Sequence, residues 1–285
     1  MTTIEHLEGH WREWRYAHVA TMFRPYGWTA LIAQHWLSAG DTDVTLDGLP
    51  GTWSMDDGVI FTPPTSGPSL SVNGEYPTEP VKILTGRNQT YGHGKSVPVY
   101  YGRLEIETLP RTTHGGERIY GVRVRDPQAA TLAHEAGVSE FDYDPAWRLP
   151  GVFTPFDRID IEAETVEEGV RETTPHIGTF AFEYGGQTHE VVVLGKDTDA
   201  GTVQPVVHFR DATNGTQTYG AGRVVEIDFT GENRIDWIDF NYAVALPCAF
   251  TNFVTCPLPP PQNVLPFEVL AGEKRPEHGI ARSID

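Results

Sequence analysis

The side chains best suited to chemistry lie close together in the carboxyl-terminal half of the sequence. Residues 223–229 and 235–241 both alternate apolar and polar residues, as the two arms of a β-hairpin do. If the intervening residues form the loop, Arg223 lies opposite Asn241 and diagonal to Asp239. This register brings the guanidinium of Arg223 within reach of the Asp239 carboxylate.

Two interpretations of this cluster stay open at the level of sequence. In the first, Arg223, Asp239 and Asn241 form a closed, fully hydrogen-bonded group that pins the neighbouring proline-rich segment to a sheet. In the second, they line a pocket in which Arg223 binds an anionic ligand and Asn241 orients it. Asp239 is then the candidate catalytic general base. Arg210 and Tyr219 are further candidate ligand-binding residues.

The two cysteines suggest packing more than chemistry. Cys248 and Cys256 are separated by seven residues, and no second pair exists to complete a zinc site. No histidine lies nearby in the sequence to activate a thiol, so we expect buried, unreactive thiols. A Cys248–Cys256 disulfide and a weak cysteine–histidine site with His208 or His278 remain alternatives.

Several well-known catalytic and cofactor motifs are absent from the sequence. It contains no phosphate-binding P-loop, no Gly-x-Ser-x-Gly elbow and no His-Glu-x-x-His. Gly220 and Gly222 precede a predicted strand rather than a helix, which excludes a dinucleotide fingerprint. The sequence therefore predicts no metal and leaves the cofactor unknown.

The composition of the chain argues against two classes of binding partner. The chain has 285 residues and a formal net charge of -18, with only four lysines. Nucleic acids and anionic membranes require clustered positive charge, so we expect neither as a partner. No signal peptide and no stretch of roughly 18 apolar residues is present, which predicts a cytoplasmic protein.

The amino-terminal half predicts a helix followed by short strands. Apolar residues recur at three- and four-residue steps through residues 1–24, giving an amphipathic helical arm. Residues 97–109 and 118–125 form a predicted strand pair in which Arg123 and Arg125 point to solvent from a wet face. Residues 127–136 are a predicted short helix. Further predicted strands are 28–37, 44–46, 58–62, 69–72 and 81–84.

The carboxyl-terminal half repeats the β pattern after a proline-rich connector at residues 142–155. Gly185 and Gly186 predict a two-residue hairpin that sets Phe182 opposite His189. The proline run at 257–261 predicts an extended strap. Another strand is predicted at 158–166, and a last one at 264–270.

Five ordered motifs within residues 209–274 identify a family resemblance. They are TYGAGR, IDFNYA, PCAF, TCPLPPPQN and AGEK, and they resemble the bacterial and archaeal family called domain of unknown function 1684. The HWREWR opening and the YGVRVRDP strand are also similar. The resemblance implies a β-rich, cytoplasmic protein and carries no activity, cofactor or catalytic residue. Cys248, Cys256, Asn263 and Glu273 stand in these motifs as candidate structural residues.

We therefore predict a mostly β protein with antiparallel, sandwich- or barrel-like sheets. The helical arm precedes β subdomains at 28–137 and 150–274, and residues 275–285 form a tail. The predicted function is binding of a small molecule, anionic if Arg223 holds it, with or without catalysis. The alternative is a non-catalytic β-sandwich interaction module. In its favour, SLSVNG at 69–74 resembles a loop of forkhead-associated domains, although the arginine and Ser-x-x-His of those domains are missing.

Overall fold

A computed structural model describes residues 4–83, 97–198 and 200–276. Over these residues the chain is mostly β, with an amino-terminal helix and two antiparallel sheets of twelve and three strands. The larger sheet is open at both ends, so the described part of the chain forms no closed barrel. No helix in this part of the chain combines the length and the apolar character needed to cross a membrane.

The amino-terminal part follows the predicted pattern closely. Helix α1 spans Ile4–Met22, and Gly27 precedes a 3-10 turn at Trp28–Ala30 that takes the first three residues of the predicted strand 28–37. Helix α2 occupies Pro127–Ala136, capped by the Asp126 side chain. The strands are β1 Leu31–Leu37, β2 Thr52–Met55, β3 Val59–Thr62, β4 Ser71–Val72, β5 Val81–Ile83, β6 Val99–Tyr101, β7 Leu104–Thr113 and β8 Arg118–Arg125.

One apolar face of the amino-terminal strands is covered by the small sheet. Strands β2, β3 and β5 form that sheet, and Trp53 and Phe61 from it are fully buried against β1, β7 and β8. Residues 44–46 contribute only a single bridge, from Val44 to Trp53, instead of the predicted strand. The result is a two-layer sandwich with its own core.

The carboxyl-terminal strands extend the larger sheet. The Gly185–Gly186 hairpin has both glycines at positive φ, and Phe182 pairs with His189, as predicted. The strands are β9 Arg148–Glu164, β10 Val170–Tyr184, β11 Gln187–Asp197, β12 Val203–Phe209, β13 Arg223–Glu226, β14 Trp237–Asp239 and β15 Val244–Ala245.

The predicted hairpin register of Arg223 with Asn241 is wrong. Residues 230–234 do form a tight turn, in which the N–H of Thr230 donates to the Arg234 carbonyl at 2.8 Å. Beyond it the two arms separate, because β13 already pairs with β12 on one edge and β15 on the other. Strand β14 pairs instead with β9, which sets Asp239 opposite Arg148.

The predicted last strand at 264–270 is also wrong. After a 3-10 turn at Pro261–Asn263, this segment makes one isolated parallel bridge, between Val264 and Arg210. Its hydrogen bonds go largely to side chains and loops, which an extended strap can do without joining a sheet.

The predicted wet face of β7 and β8 is buried. Glu107, Arg123 and Arg125 are almost completely shielded from solvent. Strands of the carboxyl-terminal half face Arg123, whereas Gly27 and Trp28 cover Arg125. The two halves also share one sheet, through the pairs Val170–Thr113 and Arg171–Thr112 between β10 and β7. Strands from both predicted subdomains therefore face each other across a common interior.

Candidate functional site

Arg223 is sealed inside the protein by partners other than those predicted. Its side chain is 0% exposed, and Nη2 donates to Asp211 Oδ2 at 2.8 Å. The remaining bonds go to the backbone carbonyls of Val269, Ala271 and Glu273. Burial lowers the pKa of Arg223, while the Asp211 charge opposes that shift. The guanidinium thus fastens residues 269–273 to the sheet.

Asp239 and Asn241 form a second, separate group. Asp239 Oδ1 caps the 3-10 turn at Phe240–Tyr242, accepting from the Asn241 N–H at 3.1 Å and from Nδ2 at 2.8 Å. Asn241 also bonds the backbone of Asp144 through both atoms of its amide. Burial raises the pKa of Asp239. Its geometry is that of a helix cap, and its role as a general base stays a prediction.

The other motif residues hold the proline-rich strap. Asn263 is fully buried, and its amide bonds the N–H and carbonyl of Val192 and the carbonyl of His208. Arg210 acts through its backbone, which exchanges hydrogen bonds with Asn263 and Leu265. Glu273, 1% exposed, accepts from the N–H of Ala245 at 2.7 Å.

The cysteines are free, buried thiols, in agreement with the main prediction. Burial raises the pKa of the Cys248 thiol well above its ordinary value, and Cys256 raises it further. The Tyr219 hydroxyl contacts Cys248, so this predicted ligand-binding residue lies inside a packed cluster. His278, the alternative partner of a cysteine, lies outside the described residues.

An apolar cavity of about 190 Å³ lies elsewhere, between the buried face of β7–β8 and the outer face of β11–β13. Helix α1 and the strap close its sides, and neither Arg223, Asp239 nor Asn241 lines it. Its apolar walls include Met22, Trp28, Leu194, Val206, Val224, Val244 and Val254, and its polar lining includes His18, Arg111, Arg123, Lys196, His208, Glu226 and Cys256.

Arg123 is the most unusual group in this wall. It is 2% exposed, and its Nε donates to Gln34 Oε1 at 2.8 Å. Among the described residues, no carboxylate lies within 4.0 Å of its guanidinium and no other hydrogen bond is made. Burial lowers the pKa of Arg123 to about 10, although Glu107 opposes the shift. The side chain stays a buried cation.

The neighbouring charges leave a positive excess. Arg111 pairs with Glu172 at 3.2 Å, and Arg125 pairs with Glu107 at 2.8 Å. With Arg123 this makes three arginines, two of them fully buried, against two carboxylates, an excess of one positive charge.

His208 lines the same cavity from β12. It is 3% exposed, and its Nε2 has no hydrogen-bond partner among the described residues. Burial lowers the pKa of His208 to about 3, so the imidazole is neutral at pH 7. A neutral ring nitrogen can donate to or accept from a ligand in the cavity.

The sequence did not predict this site, because the residue pattern of β8 is also that of a strand with one face exposed to water. Arg123 and Arg125 alternate with valines, the pattern of a strand with one face in water. The strands that face Arg123 lie about 70 to 120 residues further along the chain, whereas Arg125 is covered by Gly27 and Trp28. Among the described residues, no group of three or more His, Cys, Asp or Glu is placed to hold a metal ion.

Comparison with known proteins gives a family and no activity. The family described as protein of unknown function (DUF1684) matches residues 134–274. A solution NMR structure of an uncharacterized protein from gene locus rrnAC0354 of Haloarcula marismortui is 30% identical. The alignment covers 50% of this chain and 78% of that one, with a TM-score of 0.41. A search of curated proteins gives no match. The chain belongs to the DUF1684 family.

Proposed function

We propose that this protein binds a small amphipathic anion, a monocarboxylate with an apolar body, in the cavity between β7–β8 and β11–β13. The observation that supports this proposal most strongly is the position of Arg123 on the wall of an apolar cavity. Arg123 is a buried cation that has no carboxylate partner among the described residues. A buried charge is costly unless it is paired, and a bound anion supplies the missing partner.

The lining favours this class of ligand over a fully polar one. The walls are mostly aliphatic and the polar groups are few, as in small-molecule sites generally. A carboxylate can take two parallel hydrogen bonds from the Arg123 guanidinium. Arg111, already held by Glu172 and by Thr255 Oγ1, adds a second positive charge beside it.

The size of the cavity limits the ligand. At about 190 Å³ it has room for roughly six water molecules at about 30 Å³ each. This volume fits a short aliphatic or single-ring acid. We assign the anion-binding role predicted for Arg223 to Arg123, because Nη1 and Nη2 of Arg223 are committed to Asp211 and three carbonyls.

A cytoplasmic location belongs to the same proposal. Cys248 and Cys256 form no disulfide although they lie in one packed cluster, which suits a reducing compartment. The net charge of -18 supports a small-molecule partner over a nucleic acid. The alternative of a non-catalytic interaction module has one structural feature in its favour: residues 159–163 of β9 pair with β10 on one side only, within the described chain.

The test compares acids with matched alcohols. Butanoate, hexanoate and benzoate should raise the melting temperature and change the tryptophan fluorescence, because Trp28 lines the cavity. Butanol, hexanol and benzyl alcohol should do so far less. In Arg123→Met the affinity for the acids should fall about tenfold or more, since a hydrogen bond to a charged group is lost.

Arg118→Met is the matched control, because Arg118 lies on the same strand but is exposed. Its affinity for the acids should equal that of the wild type. Equal binding of acids and alcohols, or undiminished acid binding by a folded Arg123→Met protein, would contradict the proposal.

A further inference from the structure

Strand β9 has a long open edge. The Gly151 N–H donates to the Asp236 carbonyl at 3.0 Å, and the Glu164 carbonyl accepts from the Leu258 N–H at 2.7 Å. Between these two points, residues 152–155 and 159–163 pair with β10 on one side only, within the described chain, and a register shift at residues 156–158 interrupts this pairing. Open strand edges are templates for pairing with another strand.

The open edge presents a defined set of backbone groups. Because the Glu164 carbonyl points outward, alternation directs the N–H and carbonyl groups of Asp160 and Glu162 outward as well. Ile159 and Ile161 bond inward, to β10. Pro175, which lacks an N–H, lies opposite Asp160, in agreement with this alternation.

The side chains of this stretch are unusually apolar for an edge in water. Ile159 is 51% exposed and Ile161 is 42% exposed, on one face of β9. The other face carries Arg158, whose Nε donates to Asp160 Oδ1 at 2.9 Å and whose Nη1 donates to Asp197 Oδ1 at 2.8 Å. An edge strand is usually protected by charges or prolines on it, and here only part of the surface is protected in that way.

We propose that a second copy of this chain pairs with β9 in antiparallel fashion, with the two-fold axis at Ile159. In this register Ile159 of each copy faces its equivalent across the axis. Arg158 of one copy faces Asp160 of the other, twice by symmetry. The outward groups of Asp160 then complete hydrogen bonds across the new edge.

Charge selects this register among its neighbours. If the axis lay at Ile161, Asp160 of one copy would face Glu162 of the other. If it lay at Asp160, the two Asp160 carboxylates would face each other. Both arrangements place like charges opposite each other and are repulsive. An axis at Ile159 sets Arg158 opposite Asp160 of the other copy on one face. On the other face Ile159 meets its own copy, and Ile161 lies opposite Asp157. The edge is self-complementary there, which favours a second copy over a peptide of another protein.

Sedimentation velocity of the full chain tests this surface, at concentrations up to roughly 1 mM because the contact is short. The wild type should shift from the monomer mass of 31.6 kDa toward twice that value as concentration rises. High salt should weaken the association, since exposed ion pairs are screened.

A charge exchange tests the register. Arg158→Asp should abolish the dimer, because the new carboxylate then faces Asp160 of the other copy, and the double variant Arg158→Asp/Asp160→Arg should restore it. Arg234→Asp is the matched control, since Arg234 and Asp236 form an exposed pair with the same spacing away from this edge.

Three results would overturn the proposal. One is a wild type that stays monomeric throughout, and a second is a folded Arg158→Asp variant that dimerises unchanged. The third is a folded double variant that remains monomeric. Binding of a basic extended peptide by a chain that stays monomeric would assign the edge to another protein. Binding of acids in the cavity is measured in a separate experiment. Failure of the dimer proposal therefore leaves the ligand-binding proposal testable, and the reverse also holds.

Discussion

Arg123 and Arg223 show how much the surroundings of one residue type decide its role. Both are buried on strands, at 2% and 0% exposure. Arg223 donates from Nη1 and Nη2 to a carboxylate and three carbonyls, and only its Nε lacks a partner among the described residues, so it acts as a structural clamp. Arg123 has one hydrogen bond, to Gln34, and therefore retains the capacity to bind an anion.

Asp211 and Asp239 give a direct test of which carboxylate belongs to Arg223. Asp211→Asn should cost about 3 to 5 kcal/mol in the free energy of unfolding, because it leaves a buried arginine unpaired. Asp239→Asn should cost less than about 1 kcal/mol, since asparagine caps a helical turn as well as aspartate does. Urea unfolding at pH 7 measures both values.

Each variant serves as the control for the other, because both convert a carboxylate to its amide in the same segment. Equal costs, or a larger cost at Asp239, would contradict the pairing of Arg223 with Asp211. Such a result would restore the pairing expected from sequence.

Among the elements, α1 is attached by motif residues of the carboxyl-terminal half. The Trp11 Nε1–H donates to the Asn241 carbonyl at 2.8 Å, and the Trp14 ring packs 4.7 Å from that of Tyr242. Arg15 forms an ion pair with buried Glu273, and His18 Nε2 lies 3.3 Å from the same carboxylate. The AGEK motif therefore includes the docking point of this helix.

Glu273→Gln should loosen α1 and lower the free energy of unfolding by about 3 to 5 kcal/mol, because Arg15 loses its buried partner. Burial by itself would raise the pKa of Glu273, but His18 and Arg15 outweigh it and hold the pKa below 4.5. The carboxylate thus contributes stability above pH 4.5 that is lost as pH falls through the lower folded value.

Urea unfolding at pH 7 and pH 4, with hydrogen exchange of residues 4–22 at pH 7, measures this effect. The variant should lose protection in α1 and show a smaller decrease between the two pH values than the wild type. Glu8→Gln, which breaks the exposed Arg12 pair on the same helix, should change stability by less than about 0.5 kcal/mol. Unchanged α1 protection in Glu273→Gln would refute the docking role.

At the scale of the whole molecule, the two halves share both a sheet and an interior. Strands β7 and β10 pair directly, and Arg111 on β7 forms an ion pair with Glu172 on β10. The cavity is walled by both halves, so their separation would expose Leu194, Val206 and Val254 to water.

We therefore expect the chain to unfold in one cooperative transition. Differential scanning calorimetry should give a calorimetric enthalpy close to the van't Hoff enthalpy. Trp28→Ala, in the cavity wall, should lower the temperature of that single transition without splitting it. Two separate transitions would indicate that the predicted subdomains 28–137 and 150–274 fold independently.

Local patterns in the sequence were sufficient for the elements whose causes are local. The three- and four-residue spacing of apolar residues predicted α1, and Gly185–Gly186 predicted the register of β10 and β11. The predicted hairpin of residues 223–241 does not form, because other strands compete for the same pairing edges. Both edges of β13 are taken by β12 and β15, which no local pattern reveals.

The sequence by itself determined the mostly β class, the helical arm, the family motifs and the buried thiols, because each follows from periodicity, turn residues or composition. Only the tertiary structure decided which carboxylate pairs with Arg223 and which polar face is buried. Arg123 lies on a strand whose pattern fits exposure to water, and its burial depends on strands about 70 to 120 residues away. Whether a polar side chain loses its contact with water depends on which segment packs over it. Packing between segments that are distant in the chain leaves no periodic signal in the sequence of either segment.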